Sequence, residues 1–108
     1  QMTKELLDSG TNFTAVYAIA DSMAIGSCRA LKDAGKNVPE DYSVAGFDGL
    51  ELGQYYIPSL TTIRQPVEDM AKATIRILFD IIKHRSIGET CLFEGTLLDG
   101  ESVKDISE

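Results

Sequence analysis

The stretch TAVYAIADSMAIGSCRALKDAGKNVPEDYSVAGFD, residues 14–48, decides the fold of this chain. It begins with a short apolar run, residues 14–20, whose β-branched and aromatic members are typical of a strand buried on both faces. Asp21 is a residue type favoured at helix N-caps, and small or apolar residues then recur at helical spacing until Gly35. A second apolar run, residues 42–47, follows the loop. The stretch therefore predicts a strand–helix–strand unit, a connection whose two strands are nearly always parallel.

The sequence on either side of this unit extends the same alternation of strands and helices. Upstream, residues 3–9 are typical of the end of a helix that stops at Gly10. Downstream, residues 60–63 predict a third strand, residues 66–85 a long helix, and residues 91–98 a last strand before an acidic tail that we expect to fray. The pattern predicts an α/β fold in which helices flank a parallel sheet.

Composition limits the classes of function. The chain has 108 residues, with 17 acidic and 10 basic side chains and a formal charge of −7. Such an acidic surface repels phosphate backbones, so this part of the protein is not expected to bind nucleic acid. Its apolar runs are all far shorter than the roughly 20 residues that span a bilayer, and two cysteines are too few for a disulfide scaffold. Because the chain opens on the tail of a helix, we expect it to be a piece of a longer protein.

Polar side chains follow the predicted strands, at the sheet edge where open α/β folds bind ligands. Asp21 follows the first strand, Asp48 the second and Gln65 the third. A carboxylate accepts hydrogen bonds from two neighbouring hydroxyls, and an amide both donates and accepts, so this set suits a polyhydroxylated ligand. Simpler interpretations stay open: Asp21 is favoured about two to one as an N-cap, and Asp48 is as readily a turn former. Gln65 alone carries little information.

Catalysis and metal binding find little support in the sequence. The single histidine, His84, stands at the predicted end of a helix, where a solvated histidine is favoured about ten to one over a general base. One histidine and two distant cysteines cannot assemble a zinc ligand set, and the glycines are dispersed rather than gathered in a phosphate-binding loop. We therefore expect no enzymatic activity, no metal and no cofactor.

Two groups of residues suggest self-association. Residues 50–57 are apolar and aromatic without a clear period, so we expect a loop that is either covered by the tail or used as an interface. The predicted helix also carries a small-residue surface at Ala24, Ser27 and Cys28, which would let a partner approach closely; Cys28 is otherwise a simple core residue. The predicted dimer interface consists of these three residues together with Leu50, Leu52, Tyr55, Tyr56 and Ile57.

Four segments carry a resemblance to a known family. They are ADSMAIG at residues 20–26, ALKDAG at 30–35, VPEDYSVAGFD at 38–48 and PSLTTIRQP at 58–66. In combination they resemble the effector domain of lactose/galactose-repressor (LacI/GalR) transcription regulators, and the resemblance extends from about residue 13 to residue 98.

The resemblance implies a type I periplasmic-binding-protein-like fold, present here as a partial domain. Residues 1–63 would form part of the C-terminal lobe, residues 64–88 the end of a lobe-crossing strand with a helix of the N-terminal lobe, and residues 89–108 the return strand and tail. It also implies a cytoplasmic homodimer that binds operator DNA through a helix-turn-helix domain absent from this chain. The first strands of both lobes would be missing, so we expect the isolated polypeptide neither to bind effector nor to remain a well-folded monomer.

The resemblance also assigns roles in an effector site. Asp48 matches the effector-contacting carboxylate, and Gln65 lies near the effector at the lobe-crossing strand. Ala20 stands where the family often has a polar contact, so that hydrogen bond is absent here. Val67 stands where some members place an aromatic ring against the sugar. With Asp21, these residues form the predicted site for a sugar or related small molecule.

Other functions are compatible with the same elements. A periplasmic sugar-binding protein of a transport system shares the fold, although residues 38–41 and 61–66 favour the regulator. A phospho-receiver with Asp48 as phosphate acceptor would need an early acidic cluster for magnesium, and the N-terminal residues offer none in a strand. The leading hypothesis is a regulator whose effector shifts its affinity for operator DNA.

Overall fold

The computed structural model describes residues 1–85 and 90–107. Helices and strands alternate along most of this length, as the apolar pattern predicts. The predicted boundary between residues 88 and 89 lies outside the described residues. The elements are α1 (Met2–Asp8), β1 (Ala15–Tyr17), α2 (Asp21–Asp33), β2 (Ser43–Ala45), α3 (Glu51–Tyr55), β3 (Thr62–Arg64), α4 (Val67–Ile82) and β4 (Thr96–Leu98).

The strand–helix–strand unit predicted from residues 14–48 is confirmed. Strands β1 and β2 pair in parallel, with Val16 opposite Val44. Parallel bridges join Ala45 to Thr61 and Asp48 to Arg64, so the β2 segment continues towards β3, which pairs in turn with β4. This order brings the carboxyl ends of β2 and β3 side by side.

Strand β1 is more exposed than its sequence predicts. The expectation of a strand buried on both faces is wrong, because Ala15 is exposed and Tyr17 retains 64% of its accessible surface. Among the described residues β1 pairs with β2 alone. Its other edge therefore has no neighbouring strand in the part of the chain that the structure describes, and an apolar run cannot reveal how many neighbours a strand has.

Helix α2 supplies one side of the hydrophobic core. Ala24, Cys28 and Leu31 are buried at helical spacing, and they pack with Ala18, Val44 and Leu60. Ser27 is buried against α1, where the Thr3 hydroxyl donates to its Oγ at 2.9 Å. The predicted partner surface at Ala24, Ser27 and Cys28 is therefore corrected, because these side chains contact this chain's own core and are not available to a second molecule.

The ends of α2 confirm one prediction and correct another. Gly35 has a φ of 74°, and its N–H donates to the carbonyl of Lys32, as expected for a residue that ends a helix in the left-handed conformation. At the other end Ala20 occupies the N-cap position and makes no side-chain cap. The interpretation of Asp21 as the N-cap is therefore wrong, and its carboxylate has other partners.

Residues 50–57 form a short helix rather than the predicted loop. Helix α3 covers Glu51–Tyr55, and the N–H of Gly53 donates to the carbonyl of Leu50 at 3.0 Å. Five residues give little more than one turn, which is too short for apolar spacing to show a helical period.

The segment after β4 is anchored, contrary to the expectation that the tail frays. Ser102 is fully buried; its hydroxyl donates to the carbonyl of Val44 at 2.5 Å and accepts the N–H of Thr61 at 2.9 Å. The N–H of Val44 donates back to the carbonyl of Ser102 at 2.8 Å. The segment around Ser102 therefore connects β2 with the residue that precedes β3.

The chain divides into two compact units, one formed by Gln1–Arg64 with Leu97–Glu108 and the other by Gln65–Thr96. The second unit contains α4, which begins after Pro66 and ends at Ile82, a little before the predicted end. None of the residues of α4 is buried. The assignment of these parts to lobes of a larger domain remains a prediction.

Candidate ligand site at the strand ends

Asp48 lies beyond the carboxyl end of β2, at the edge of the sheet where open α/β folds bind ligands. It follows β2 by three residues, is partly buried, and its N–H donates to the carbonyl of Ile63 at 2.9 Å. Its φ is 141°, a region that L-residues adopt infrequently and that the surrounding structure must hold in place. The backbone at Asp48 is therefore fixed against the end of β3.

Gly49 makes this close approach possible. Its φ is 77°, and a Cβ at this position would lie 2.5 Å from the Cα of Arg64. No side chain fits at that distance, so glycine is required both for the backbone conformation and for the space. Asp48 and Gly49 together form a tight turn packed against the last residue of β3.

Asp21 is a fully buried carboxylate. Its Oδ2 accepts the N–H of Leu50 at 2.7 Å, and its Oδ1 accepts the Thr62 hydroxyl at 2.5 Å. Its own N–H donates to the carbonyl of Phe47 at 2.9 Å. These bonds lie in the interior, so the structure places Asp21 behind the strand ends, in contact with the protein itself.

The other predicted ligand residues fall into two groups. Ala20 is partly buried in the first unit with an extended backbone, directly before Asp21, so it lies near the segment that carries Asp48. Gln65 and Val67 belong to the second unit: Gln65 follows β3, and Val67 is the first residue of α4 and 65% exposed. The structure thus brings Ala20, Asp21 and Asp48 together.

The predicted interface residues of segment 50–57 are mostly exposed. Ile57 retains 91% of its accessible surface, and Leu52 and Tyr55 are also largely exposed. Tyr56 differs, because it packs against the core and burial raises the pKa of its hydroxyl. An apolar surface formed by Leu50, Leu52, Tyr55 and Ile57, which we call the α3 surface, is therefore available to a partner.

Thr62 has a role in the site that the sequence does not predict. Within the TTIRQP segment this threonine is almost completely buried, and its hydroxyl meets the carboxylate of Asp21, 41 residues earlier in the chain. A threonine in an apolar strand gives one weak signal, because its hydroxyl needs a partner once it is buried. The sequence does not say which residue supplies that partner.

The described residues contain neither a cluster of metal-ligating side chains nor a membrane-spanning helix. In residues 1–85 and 90–107, no group of three or more His, Cys, Asp or Glu side chains is placed to hold a metal ion. Within the same ranges, no helix combines the length and apolar character needed to cross a bilayer. Burial raises the pKa of the Cys28 thiol to about 11, which agrees with its interpretation as a core residue.

Comparison with known proteins supports the resemblance found in the sequence. Residues 2–103 match the family of periplasmic binding protein-like domains. The HTH-type transcriptional regulator MalR of Clostridium butyricum is 35% identical over 102 residues, which cover 94% of this chain and 30% of MalR.

Solved structures show the same fold. A lac repressor dimer bound to operator and an anti-inducer matches 95% of this chain with 30% identity and a TM-score of 0.85, covering 36% of that chain. A LacI-family regulator from Enterococcus faecium with bound ribose matches 99% of this chain with 35% identity and a TM-score of 0.82, covering 40% of its own length. The chain thus spans between 30% and 40% of these proteins. It belongs to the family of periplasmic binding protein-like domains and is similar to part of these LacI-family transcriptional regulators.

Proposed function

We propose that this chain is the effector-sensing and dimerising portion of a cytoplasmic DNA-binding transcriptional regulator, and that its effector is a sugar or a related small molecule. The observation that carries the proposal is the position of Asp48. This carboxylate stands at the carboxyl end of β2 in a tight turn against β3, where α/β folds bind their ligands.

The chemistry of Asp48 suits a polyhydroxylated ligand. A carboxylate can accept hydrogen bonds from two adjacent hydroxyls at once, and each hydrogen bond to a charged group contributes about 1.5–3 kcal/mol. Because the turn at Asp48 and Gly49 is held by backbone contacts with β3, the backbone that carries the carboxylate has little freedom to lose when a ligand binds. Such preorganisation favours affinity.

The ribose bound by the regulator from Enterococcus faecium supports a sugar as the ligand class. Ala20 lies beside the same segment and offers a methyl group rather than a polar side chain. We therefore propose an effector whose hydroxyls are read by Asp48 and whose less polar part faces Ala20. Gln65 and Val67, to which the family resemblance gives effector roles, remain proposed effector contacts, and Asp21 is proposed to act through Asp48.

DNA binding is proposed for a helix-turn-helix domain outside this chain. The formal charge of −7 disfavours binding of this chain to phosphate backbones, which is compatible with a separate DNA-binding domain. Effector binding would then change operator affinity through the arrangement of the lobes. Couplings of this kind are typically about 1–3 kcal/mol and reciprocal, so operator DNA must change the effector affinity by the same factor.

The α3 surface is the proposed dimer contact. Leu52, Tyr55 and Ile57 are exposed apolar side chains within one short segment, and aromatic and large apolar residues are enriched at the centres of interfaces. The lac repressor, to which this chain is similar, is a dimer in its operator complex.

Replacement of Asp48 by Asn in the intact regulator tests the proposed effector site. Asn has nearly the same size and tolerates a positive φ as Asp does, so the fold is expected to persist while the amide replaces two acceptor oxygens by one. We expect the dose response of operator release to sugars to be lost, and operator affinity without sugar to stay within about twofold of wild type, since Asp48 lies outside the DNA reader. Fluorescence anisotropy of labelled operator measures both.

The matched control is Asp8→Asn, which changes an exposed carboxylate at the end of α1. It removes the same charge from the chain and is expected to leave the sugar response intact. An unchanged dose response in the Asp48→Asn protein would show that the effector site lies elsewhere.

A further inference from the structure

Asp21 is buried too deeply to meet a ligand, yet its bonds surround the residue that we propose as the ligand contact. We propose that Asp21 is a positioning residue for Asp48, and that it holds residues 47–50 in the conformation that presents the Asp48 carboxylate to the sugar. This inference rests on the proposed function.

Asp21 holds the turn from both sides. Its N–H donates to the carbonyl of Phe47, the residue before Asp48, at 2.9 Å. Its Oδ2 accepts the N–H of Leu50, two residues after Asp48, at 2.7 Å. The two residues between these attachment points, Asp48 and Gly49, are those with φ values of 141° and 77°. A φ of 141° is unfavourable for an L-residue. Asp48 therefore keeps this conformation only while Phe47 and Leu50, on either side of it, are held in place.

Two further residues fix the carboxylate of Asp21 itself. The hydroxyl of Thr62 donates to Oδ1 at 2.5 Å, so Oδ2 remains directed at Leu50. On the other side Gly46 leaves the necessary space, since a Cβ at Gly46 would collide with Oδ1 of Asp21 and lie 3.2 Å from the Cβ of Ala24. Asp21 is thus held in one orientation, and hydrogen bonds to an ionised acceptor are shorter and stronger than neutral ones.

These contacts connect Asp21 to the site without placing it in the site. A buried carboxylate needs hydrogen-bond donors to offset its desolvation, and the donors here come from segments 29 and 41 residues away in sequence. Removal of one donor therefore frees Asp21 to rotate and releases Leu50. The expected consequence is a misplaced Asp48 rather than a loss of the whole fold.

The test uses Thr62→Val in the intact regulator, with Thr62→Ser as the matched control. Valine has nearly the shape of threonine but lacks the hydroxyl, whereas serine keeps it. Affinity is measured by calorimetry with D-ribose and, if wild type does not bind it, with the first pentose or hexose that it does bind. We expect Thr62→Val to weaken sugar binding by about tenfold, the order of one hydrogen bond to a charged group. Thr62→Ser is expected to stay close to wild type.

A second measurement reports on positioning without any ligand. Hydrogen–deuterium exchange of the peptide containing residues 47–50 is expected to accelerate in Thr62→Val, because the Leu50 amide loses a fixed acceptor, while exchange in α1 is unchanged. Asp21→Asn, which keeps the size and loses the charge, is expected to show the same two changes. A purely structural role would lower stability and accelerate exchange throughout the first unit without changing sugar affinity in the folded protein.

The outcomes separate this inference from the proposed function. If Asp48→Asn abolishes the sugar response while Thr62→Val and Asp21→Asn bind sugar as wild type does, the positioning role is wrong and the effector site stands. If no sugar binds and Asp48→Asn has no effect, the proposed effector site is wrong. In that case faster hydrogen–deuterium exchange confined to residues 47–50 still supports a role of Asp21 in fixing the turn, and unchanged exchange there contradicts it.

Discussion

At the residue scale, the candidate site depends on backbone geometry as much as on side-chain chemistry. The Asp48 carboxylate is a common group; its location depends on a left-handed turn that only Gly49 can complete beside Arg64. Neither residue would be informative alone. The close contact between Gly49 and the backbone of β3 is what makes the position specific.

Substitution of Gly49 by Ala tests this contact. The new Cβ would lie 2.5 Å from the Cα of Arg64, so the variant combines left-handed strain of about 1–2 kcal/mol with an overpacking cost of about 1–3 kcal/mol. Gly35→Ala is the matched control, because Gly35 has a φ of 74° and open space around it. We expect Gly49→Ala to lose about 2 kcal/mol more unfolding free energy than Gly35→Ala in urea denaturation of the intact protein. Equal losses would show that the turn can move away from β3.

The two cysteines are expected to differ in reactivity. Cys28 is buried and its thiol pKa is raised by burial from 9.0 to about 11, whereas Cys91 is exposed. Because the thiolate is the reactive form, iodoacetamide at pH 8 should label Cys91 and leave Cys28 unmodified until the protein unfolds. Mass spectrometry of the labelled peptides measures this, and rapid labelling of Cys28 in the native protein would contradict the burial of α2.

The same shift gives a pH dependence with a definite sign. The folded state keeps the Cys28 proton to a higher pH than the unfolded chain does, so its contribution to stability is fully present below pH 9. As the pH rises from 9 towards 11, the unfolded chain releases the proton first and the unfolding free energy falls. Cys28→Ala should lessen this alkaline decline relative to wild type.

The sequence could predict the position of Asp48 and not the partners of Asp21. The end of an apolar run shows locally where a strand ends. Because open α/β folds bind ligands at the carboxyl ends of their strands, this end indicates the candidate site. The partners of Asp21, in contrast, are the amide of Leu50 and the hydroxyl of Thr62, which lie 29 and 41 residues away. The N-cap preference of Asp depends only on neighbouring residues. The role of the Asp21 carboxylate depends instead on its contacts with distant parts of the chain.

At the element scale, periodic segments were predicted and short or long-range ones were not. The parallel pairing of β1 with β2 follows from the connecting helix α2. The prediction that β1 is buried on both faces was wrong, because an apolar sequence does not show how many strands lie beside it. Helix α3 escaped detection because five residues show no period. The buried face of α2 was misassigned to a partner, since small residues suit a chain's own core and a dimer contact equally well.

The segment around Ser102 shows how one side chain can anchor a whole element. Ser102→Ala would remove the acceptor of the buried Thr61 N–H and the donor to the carbonyl of Val44. Leaving a buried amide unsatisfied costs about 1–3 kcal/mol, so we expect a loss of about 2 kcal/mol in unfolding free energy, together with faster proteolysis after β4.

Ser107→Ala is the control for that experiment, because Ser107 is exposed and bonds within its own turn to Asp105. An exposed substitution of this kind is expected to change stability by less than about 0.5 kcal/mol. If both variants change the unfolding free energy by a similarly small amount, the segment after β4 is not anchored and the tail frays.

At the scale of the whole molecule, the described residues combine a candidate ligand site with an exposed apolar surface. The turn at Asp48 and the α3 surface belong to the same segment, since Leu50 and Leu52 lie two and four residues after Asp48. The N–H of Leu50 is bonded to Asp21, while its side chain is partly exposed. A displacement of the turn on sugar binding would therefore reach the proposed dimer contact within a few residues, which offers a short physical connection between effector and assembly.

Replacement of Ile57 by Asp tests the proposed dimer contact. Ile57 is 91% exposed in the single chain, so a charge there costs the monomer little, whereas a charge buried in an apolar interface without a partner is strongly unfavourable. Ile106→Asp is the matched control, because it places the same charge at a residue of the tail that is also exposed. We expect sedimentation equilibrium to show monomers for Ile57→Asp and dimers for Ile106→Asp. Since a dimeric reader needs both half-sites, operator affinity should fall in parallel for Ile57→Asp alone; a dimer of unchanged affinity would place the interface on another surface.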